Sequence, residues 1–321
     1  MKSLFFIILT SFSLFIVGCT DRTEPSKNFK IGIIQYTNIN AQALIGFKDK
    51  LASLGYIEGK NVTYIDYGYA DSIEEIQPKL KKVMEQKPDI IFSSTTPASI
   101  SAYEITKASM TPVVFAPVNN PVKAGITNNL RIPGEHITGV TLAPSDGKRL
   151  EWLTLLSKDI KQVLVPYNPK DMSSIISIES ITKAADDLDI ELTLRPLNSK
   201  AALQNLLTDI PDNIQAIYLP RDGMIVSRNK DFIDVCLKNK IVLSTAKYEH
   251  VLDGATTGYG FIGYMIGKQA GRMVASILNG TKAGDMPVET AEDFFFVNLE
   301  VVNKIGLHVE NNILRQAYKA K

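Results

Sequence analysis

Cysteine is nearly absent from this chain, with Cys19 and Cys236 the only two in 321 residues, so a disulfide-stapled scaffold is excluded. Histidine is as scarce. His136, His250 and His308 stand far apart with no ligand spacing around them, and no metal centre is expected. Charge of one sign is missing too: 35 basic against 34 acidic residues leave no field to attract nucleic acid or anionic lipid. The chain contains no Gly-x-Ser-x-Gly elbow and no Gly-Lys-Ser/Thr phosphate loop. No segment gathers a nucleophile with its base, so neither catalysis nor a cofactor is expected. Beyond residue 19, no apolar run is long enough to cross a membrane.

What is present begins at the first residue. Lys2 is followed by an apolar stretch from Leu4 to Val17, then by Gly18 and Cys19. Positive, apolar and small-residue regions in that order form a secretory signal peptide, here residues 1–18. The cysteine at its end makes the segment a bacterial lipobox, with Cys19 acylated and residues 19–28 a polar tether. Several acyl chains on one residue anchor firmly, at roughly 0.8 kcal/mol per buried methylene. The expected location is therefore extracytoplasmic, at the membrane surface, with the lipid as the sole membrane contact. Cys236, among Phe232, Ile233, Val235 and Leu237, reads as a buried inert thiol.

From Phe29 onward, strand-like and helix-like segments alternate. Strands are expected at 29–35, 61–67, 89–94 and 112–116, with helices at 42–54, 72–86 and 98–108 between and after them. The alternation restarts after Ser145, with strands at 162–166, 191–195, 214–219 and 241–244 and helices between them. Such a rhythm predicts right-handed βαβ units around parallel sheets. The fold class is α/β: two doubly wound, Rossmann-like lobes, each of ordinary domain size.

In such sheets ligands sit beyond the carboxyl ends of the strands. Those positions here hold Gln35, Tyr36 and Asn38; Thr95, Thr96, Pro97 and Ala98; Asn119 and Asn120; Asn168; and Asp222 in Pro220-Arg221-Asp222-Gly223. Any one of these loops is explained by helix capping alone. Five on one structural edge point to a ligand cleft, with Tyr36, Tyr248 and Tyr259 as candidates for stacking. Gly258-Tyr259-Gly260-Phe261-Ile262-Gly263 matches the glycine spacing of a dinucleotide site, but it comes late in the chain and lacks the acidic residue that ends the next strand. Hinge flexibility plus a helix start accounts for its glycines.

In order and spacing, several segments resemble the substrate-binding lipoproteins of ATP-driven importers, in the tryptophan/tyrosine-type subfamily. They are Leu54-Gly55-Tyr56-Ile57-Glu58-Gly59-Lys60-Asn61-Val62, Lys87-Pro88-Asp89-Ile90-Ile91, Thr96-Pro97-Ala98, Tyr167-Asn168-Pro169, and Gly267-Lys268-Gln269-Ala270 with Pro287-Val288-Glu289. The resemblance implies a type I periplasmic-binding-protein architecture whose lobes are joined by a three-crossover hinge. It puts lobe 1 at residues 29–142 plus 258–288 and lobe 2 at residues 143–257 plus 289–319. It further implies a monomer that closes around a small molecule and hands it to an ABC permease and its ATPase subunit. The Thr95–Ala98 helix start would receive a carboxylate. Two acidic positions usual in the family are Asn120 and Ile262 here, which leaves Asp222 as the expected partner of an ammonium group. The ligand class is thus an aromatic amino acid or a related aromatic or heterocyclic acid. The same cleft would equally serve a sensor module reporting to a membrane signalling partner.

Overall fold

The computed structural model describes residues 27–319; the signal peptide, Cys19 and most of the tether lie outside the described residues. The first run of elements is β1 (Phe29–Gln35), α1 (Ala41–Ser53), β2 (Val62–Asp66), α2 (Ile76–Glu85), β3 (Ile90–Ser94), α3 (Thr96–Thr106), β4 (Val113–Val118) and β5 (Ile137–Thr141). Its strands are buried and rich in Ile, Val and Phe, as strands covered on both faces must be.

The chain then crosses to a second run: α4 (Asp146–Leu156), β6 (Gln162–Tyr167), α5 (Met172–Leu188), β7 (Glu191–Pro196), α6 (Lys200–Thr208), β8 (Ala216–Tyr218) and α7 (Gly223–Val226). After these come α8 (Asn229–Asn239), β9 (Val242–Lys247), α9 (Tyr248–Asp253) and β10 (Thr257–Phe261). It returns with α10 (Gly263–Leu278) and β11 (Glu289–Thr290). It crosses a third time into β12 (Phe294–Val297), α11 (Leu299–Ile305), α12 (Asn311–Leu314) and β13 (Tyr318–Lys319).

Two sheets result. One has six strands in the order β11-β5-β4-β3-β1-β2, the other seven in the order β13-β12-β10-β9-β8-β6-β7. All pairings are parallel except β10 with β12. In both, strand order reverses at the middle, so the carboxyl ends of β1, β3 and β4 face those of β6, β8 and β9 across a cleft.

The expected lobe boundaries shift in two places. The switch anticipated before Gly258 comes after Phe261, because β10 belongs to the second sheet. Its glycines serve close strand contact rather than a hinge: a Cβ on Gly258 would lie 2.6 Å from the Thr245 carbonyl, and one on Gly260 2.1 Å from that of Ala246. The switch anticipated after Val288 comes after Thr290, since β11 pairs with β5.

α10 completes the first lobe by lying against α1 at backbone contact. Cβ atoms on Gly46, Gly267 and Gly271 would fall 2.1 Å from the Tyr264 carbonyl, 1.9 Å from that of Ala43 and 2.7 Å from that of Phe47. Phe47, Leu51, Ile266, Ala270 and Met273 fill the core on either side of this seam. Cys236 is buried in the core of the second lobe, where burial pushes its thiol pKa up.

Gly267→Ala is accordingly expected to push the two helices apart at a cost of ~1–3 kcal/mol, the range for overpacking. Thermal denaturation should show the melting temperature lowered by several degrees; an unchanged midpoint would mean the seam is loosely packed.

Candidate functional site

Where the two sheet edges meet there is a partly open cavity of about 50 Å³. Lobe 1 supplies Ile39, Asn40, Thr95, Thr96, Pro97, Pro117 and Asn119 to its wall; lobe 2 supplies Asp171, Ser173, Arg221, Asp222, Gly223, Lys247 and Phe261. Its electrostatics are divided between two ends.

One end is cationic. The Arg221 guanidinium is buried and donates to Asn119 Oδ1 at 3.1 Å, to the Ala143 carbonyl at 2.9 Å and to Ser145 Oγ at 2.9 Å. Behind it Asp146 lies 3.5 Å from Arg221 and 3.1 Å from Arg149, and it accepts from the Tyr218 and Ser177 hydroxyls. The two guanidiniums share Asp146 in ion-pair contact, Asp293 also lies near both, and Arg221 keeps its Nε without a partner. The start of α3 adds to this character: its N-cap, Thr95, makes no side-chain cap, so the first amide groups remain open to an anion. Thr95 is held at φ 86° and ψ 156°, a strained backbone for a β-branched residue, and its buried Oγ1 has no partner.

The other end is anionic. Asp171 and Asp222 are both buried. Asp171 accepts from the Ser173 and Gly223 amides at 2.9 and 3.1 Å, and Asp222 from the Asn168 and Ile225 amides at 2.6 and 3.0 Å. Each carboxylate also caps a helix, α5 and α7 respectively. Burial pushes the pKa of both up, and the Asp222 charge raises Asp171 further. Lys247 spans the cleft to the Ile39 carbonyl and Asn40 Oδ1, its pKa lowered by burial. Buried His250, bonded to Thr245, is held well below its ordinary pKa.

Of the expected site residues, Thr95, Thr96, Pro97, Asn119 and Asp222 line the cavity. Gln35 and Tyr36 are buried at the end of β1. Tyr36 packs across the cleft on Gly223, where a Cβ would lie 2.4 Å from its ring. Asn168 is buried and supports Asp222 through its backbone. Ala98 points into the first-lobe core.

Four expected residues stand elsewhere. Asn38 borders a larger outer pocket, and Asn120 caps its own turn by accepting from the Lys123 amide. Tyr248 leans on Phe296 and Tyr318 and borders that outer pocket. Tyr259, opposite Phe295 in the β10–β12 ladder, stacks over Trp152 at 6.1 Å, because strand alternation turns it to the helix-covered face.

Sequence reasoning missed Asp171, Arg221 and Lys247. Asp171 carried a readable signal, an Asp at an N-cap position two residues after Asn168-Pro169. Arg221 stood inside a quoted loop but had no charge pattern to mark it. Lys247 lies at the end of a strand that runs three residues further than its apolar core suggests.

The lobes stand closed. Beyond Arg221–Asn119 and the Lys247 contacts, Asn119 Nδ2 donates to the Ser173 carbonyl at 3.1 Å. Lys123–Glu179, Lys170–Glu74 and Lys200–Asp71 form exposed ion pairs across the rim.

A family model described as ABC transporter substrate binding protein matches residues 30–321. A protein named tyrosine-binding protein from Clostridioides difficile strain R20291 is 28% identical over 275 residues, covering 85% of this chain and 79% of its own length. A solved structure described as an ABC domain in complex with L-Trp, from Streptococcus pneumonia, superposes with a TM-score of 0.84 at 20% identity. It covers 91% of this chain and 99% of its own. A ligand-free, open structure of a Clostridium difficile substrate binding protein with adhesive properties covers the same shares at 25% identity, but with a TM-score of 0.65.

Gly223→Ala should hold the lobes apart, because the added methyl collides with the Tyr36 ring. Small-angle scattering is expected to show a larger radius of gyration than for the wild-type chain; identical curves would mean that Tyr36 yields instead.

Proposed function

Because this chain belongs to the ABC transporter substrate-binding protein family, we propose that it captures a zwitterionic amino acid with an apolar, aromatic side chain and delivers it to an ABC permease and its ATPase. The family binds solutes and is not a family of enzymes. The observation that carries the reading is one cavity lined by both a buried guanidinium, Arg221, and two buried carboxylates, Asp171 and Asp222. An α-carboxylate fits Arg221 and the open start of α3; an α-ammonium fits Asp171 and Asp222. Buried charges are costly unless compensated, so such a site selects a ligand carrying both signs.

The aromatic side chain is supported by the tyrosine-binding relative and by the tryptophan complex. Ile39, Pro97, Leu142, Val226 and Phe261 supply the apolar surface for it. The cavity of about 50 Å³ is smaller than the ~150 Å³ that accepts benzene, so a ring enters with the lobes further apart or with these side chains displaced. The protein acts outside the cytoplasmic membrane as a lipid-anchored monomer held by Cys19, its lobes exchanging segments near residues 142–145, 262 and 291–293.

Tryptophan, tyrosine and phenylalanine at 100 times their dissociation constants should each add ~2.7 kcal/mol of stability in a thermal-shift screen. Response only to acids lacking an amine would remove the amino-acid reading. Arg221→Met should weaken binding of tryptophan by ~2–5 kcal/mol, the range for a truncated buried charge pair, and affect tryptophanamide far less. Equal losses for the two would detach Arg221 from the carboxylate. Cys19→Ala should move the protein from the membrane to the soluble fraction; continued sedimentation with membranes would overturn the anchor.

A further inference from the structure

The dicarboxylate end of the cavity is short of one positive charge. Asp171 and Asp222 are buried and line the same cavity; their donors are backbone amides, with the neutral Ser174 hydroxyl beside Asp222, and none carries a charge. Among the described residues, no lysine or arginine nitrogen lies within ion-pair distance of either carboxylate. Lys170, next to Asp171 in sequence, turns outward to Glu74. The groups around them do not fill the gap. Tyr36, on β1, keeps its proton, because burial and the two carboxylates push its pKa up. Lys247 and His250, from β9 and α9, are engaged with Ile39, Asn40 and Thr245, and burial disfavours their charged forms. Arg221 is committed to Asn119, Ala143, Ser145 and Asp146. Two buried carboxylates that feel each other's charge hold one proton to a higher pH than an ordinary aspartate when no cation compensates them.

We propose that the ligand-free receptor stores one proton on the Asp171–Asp222 pair and that the ligand's ammonium ion expels it, so that capture releases a proton. This rests on the amino-acid reading of the site and adds its regulation. The exchange balances: one carboxylic acid and one carboxylate become two carboxylates, an ammonium ion enters already protonated, and the displaced proton leaves to solvent. The pair carries −1 before capture and, counted with the ligand's ammonium group, −1 after; the ligand's own carboxylate is a further negative charge, and it faces Arg221. The affinity consequence has a definite sign. Above the raised pKa of the free pair the site is already ionised and affinity is full. Below it each unit of acidity costs about tenfold in affinity, until the pair also protonates in the complex. Acid therefore promotes release.

The test begins with carboxyl-13C NMR of aspartate-labelled protein without ligand. One of the pair should titrate in the neutral range, where burial carries Asp171, and not in the ordinary aspartate range. Asp171→Asn and Asp222→Asn should each return the remaining carboxyl toward ordinary values, and either variant suffices if the other fails to fold. Methylammonium, small enough for the cavity, and L-tryptophan should each lower that titration relative to sodium chloride. Tryptophan calorimetry at pH 6 in phosphate and in Tris should differ in heat by the ionisation of about one proton. Both carboxyls titrating in the ordinary range, or a raised titration that neither compound moves, would overturn the proposal. A response to methylammonium without one to tryptophan would uphold ammonium-for-proton exchange and discard the amino-acid reading.

Discussion

The placement of Arg221 is the constraint on which the site depends. Its guanidinium reaches a lobe 1 side chain, Asn119, and the crossover carbonyl and hydroxyl of Ala143 and Ser145, while its own backbone sits at the end of β8 in lobe 2. One planar group with several fixed donors thus registers both lobes and the connection between them, a geometry that lysine could not reproduce. The Asp146–Arg149–Tyr218 cluster beneath it fixes that orientation from behind, with the Arg149 guanidinium lying 3.8 Å over the Tyr218 ring. The cationic end of the cavity is thereby preorganised before any ligand arrives, which reduces what must be ordered on binding.

The fold was legible because each βα unit carries its own periodicity. Strands such as Ile90–Ser94 are short apolar runs, and helices such as Met172–Leu188 keep one apolar face; those signals are local. β5 and β10 were not legible, since Ile137–Thr141 and Thr257–Phe261 contain glycines at 139, 258 and 260 that read as breaks. Those glycines are demanded by neighbouring strands far away in sequence: a Cβ on Gly139 would lie 2.2 Å from the Phe115 carbonyl. A requirement imposed by a distant partner leaves no periodic trace.

The site was half legible for a related reason. Loops after β3, β4 and β8 were identifiable from chain position alone, which placed Thr95, Thr96, Asn119 and Asp222. Of the three expected tyrosines, Tyr36 reaches the cleft at Gly223, while Tyr259 and Tyr248 pack instead on Trp152 and Phe296, because stacking depends on which face of a strand or helix is free. Charge complementarity was legible only as an absence, the missing acidic residues at 120 and 262. Asp171 restores one carboxylate, from a position whose helix-capping role is sufficient to explain it locally.

The glycine seam between α1 and α10 has a consequence for how the molecule comes into being. A ribosome completes β1 to β5 and the second lobe's strands β6 to β10 before residue 263 exists. Throughout that time Ala43, Phe47 and Leu51 lack the helix that fits against them, because α10 has not yet been translated. The lobe that is first in the gene is therefore finished only after most of the other has been made. Its N-terminal portion spends most of translation as an incomplete structure with an exposed apolar stripe, the kind of intermediate that chaperones recognise.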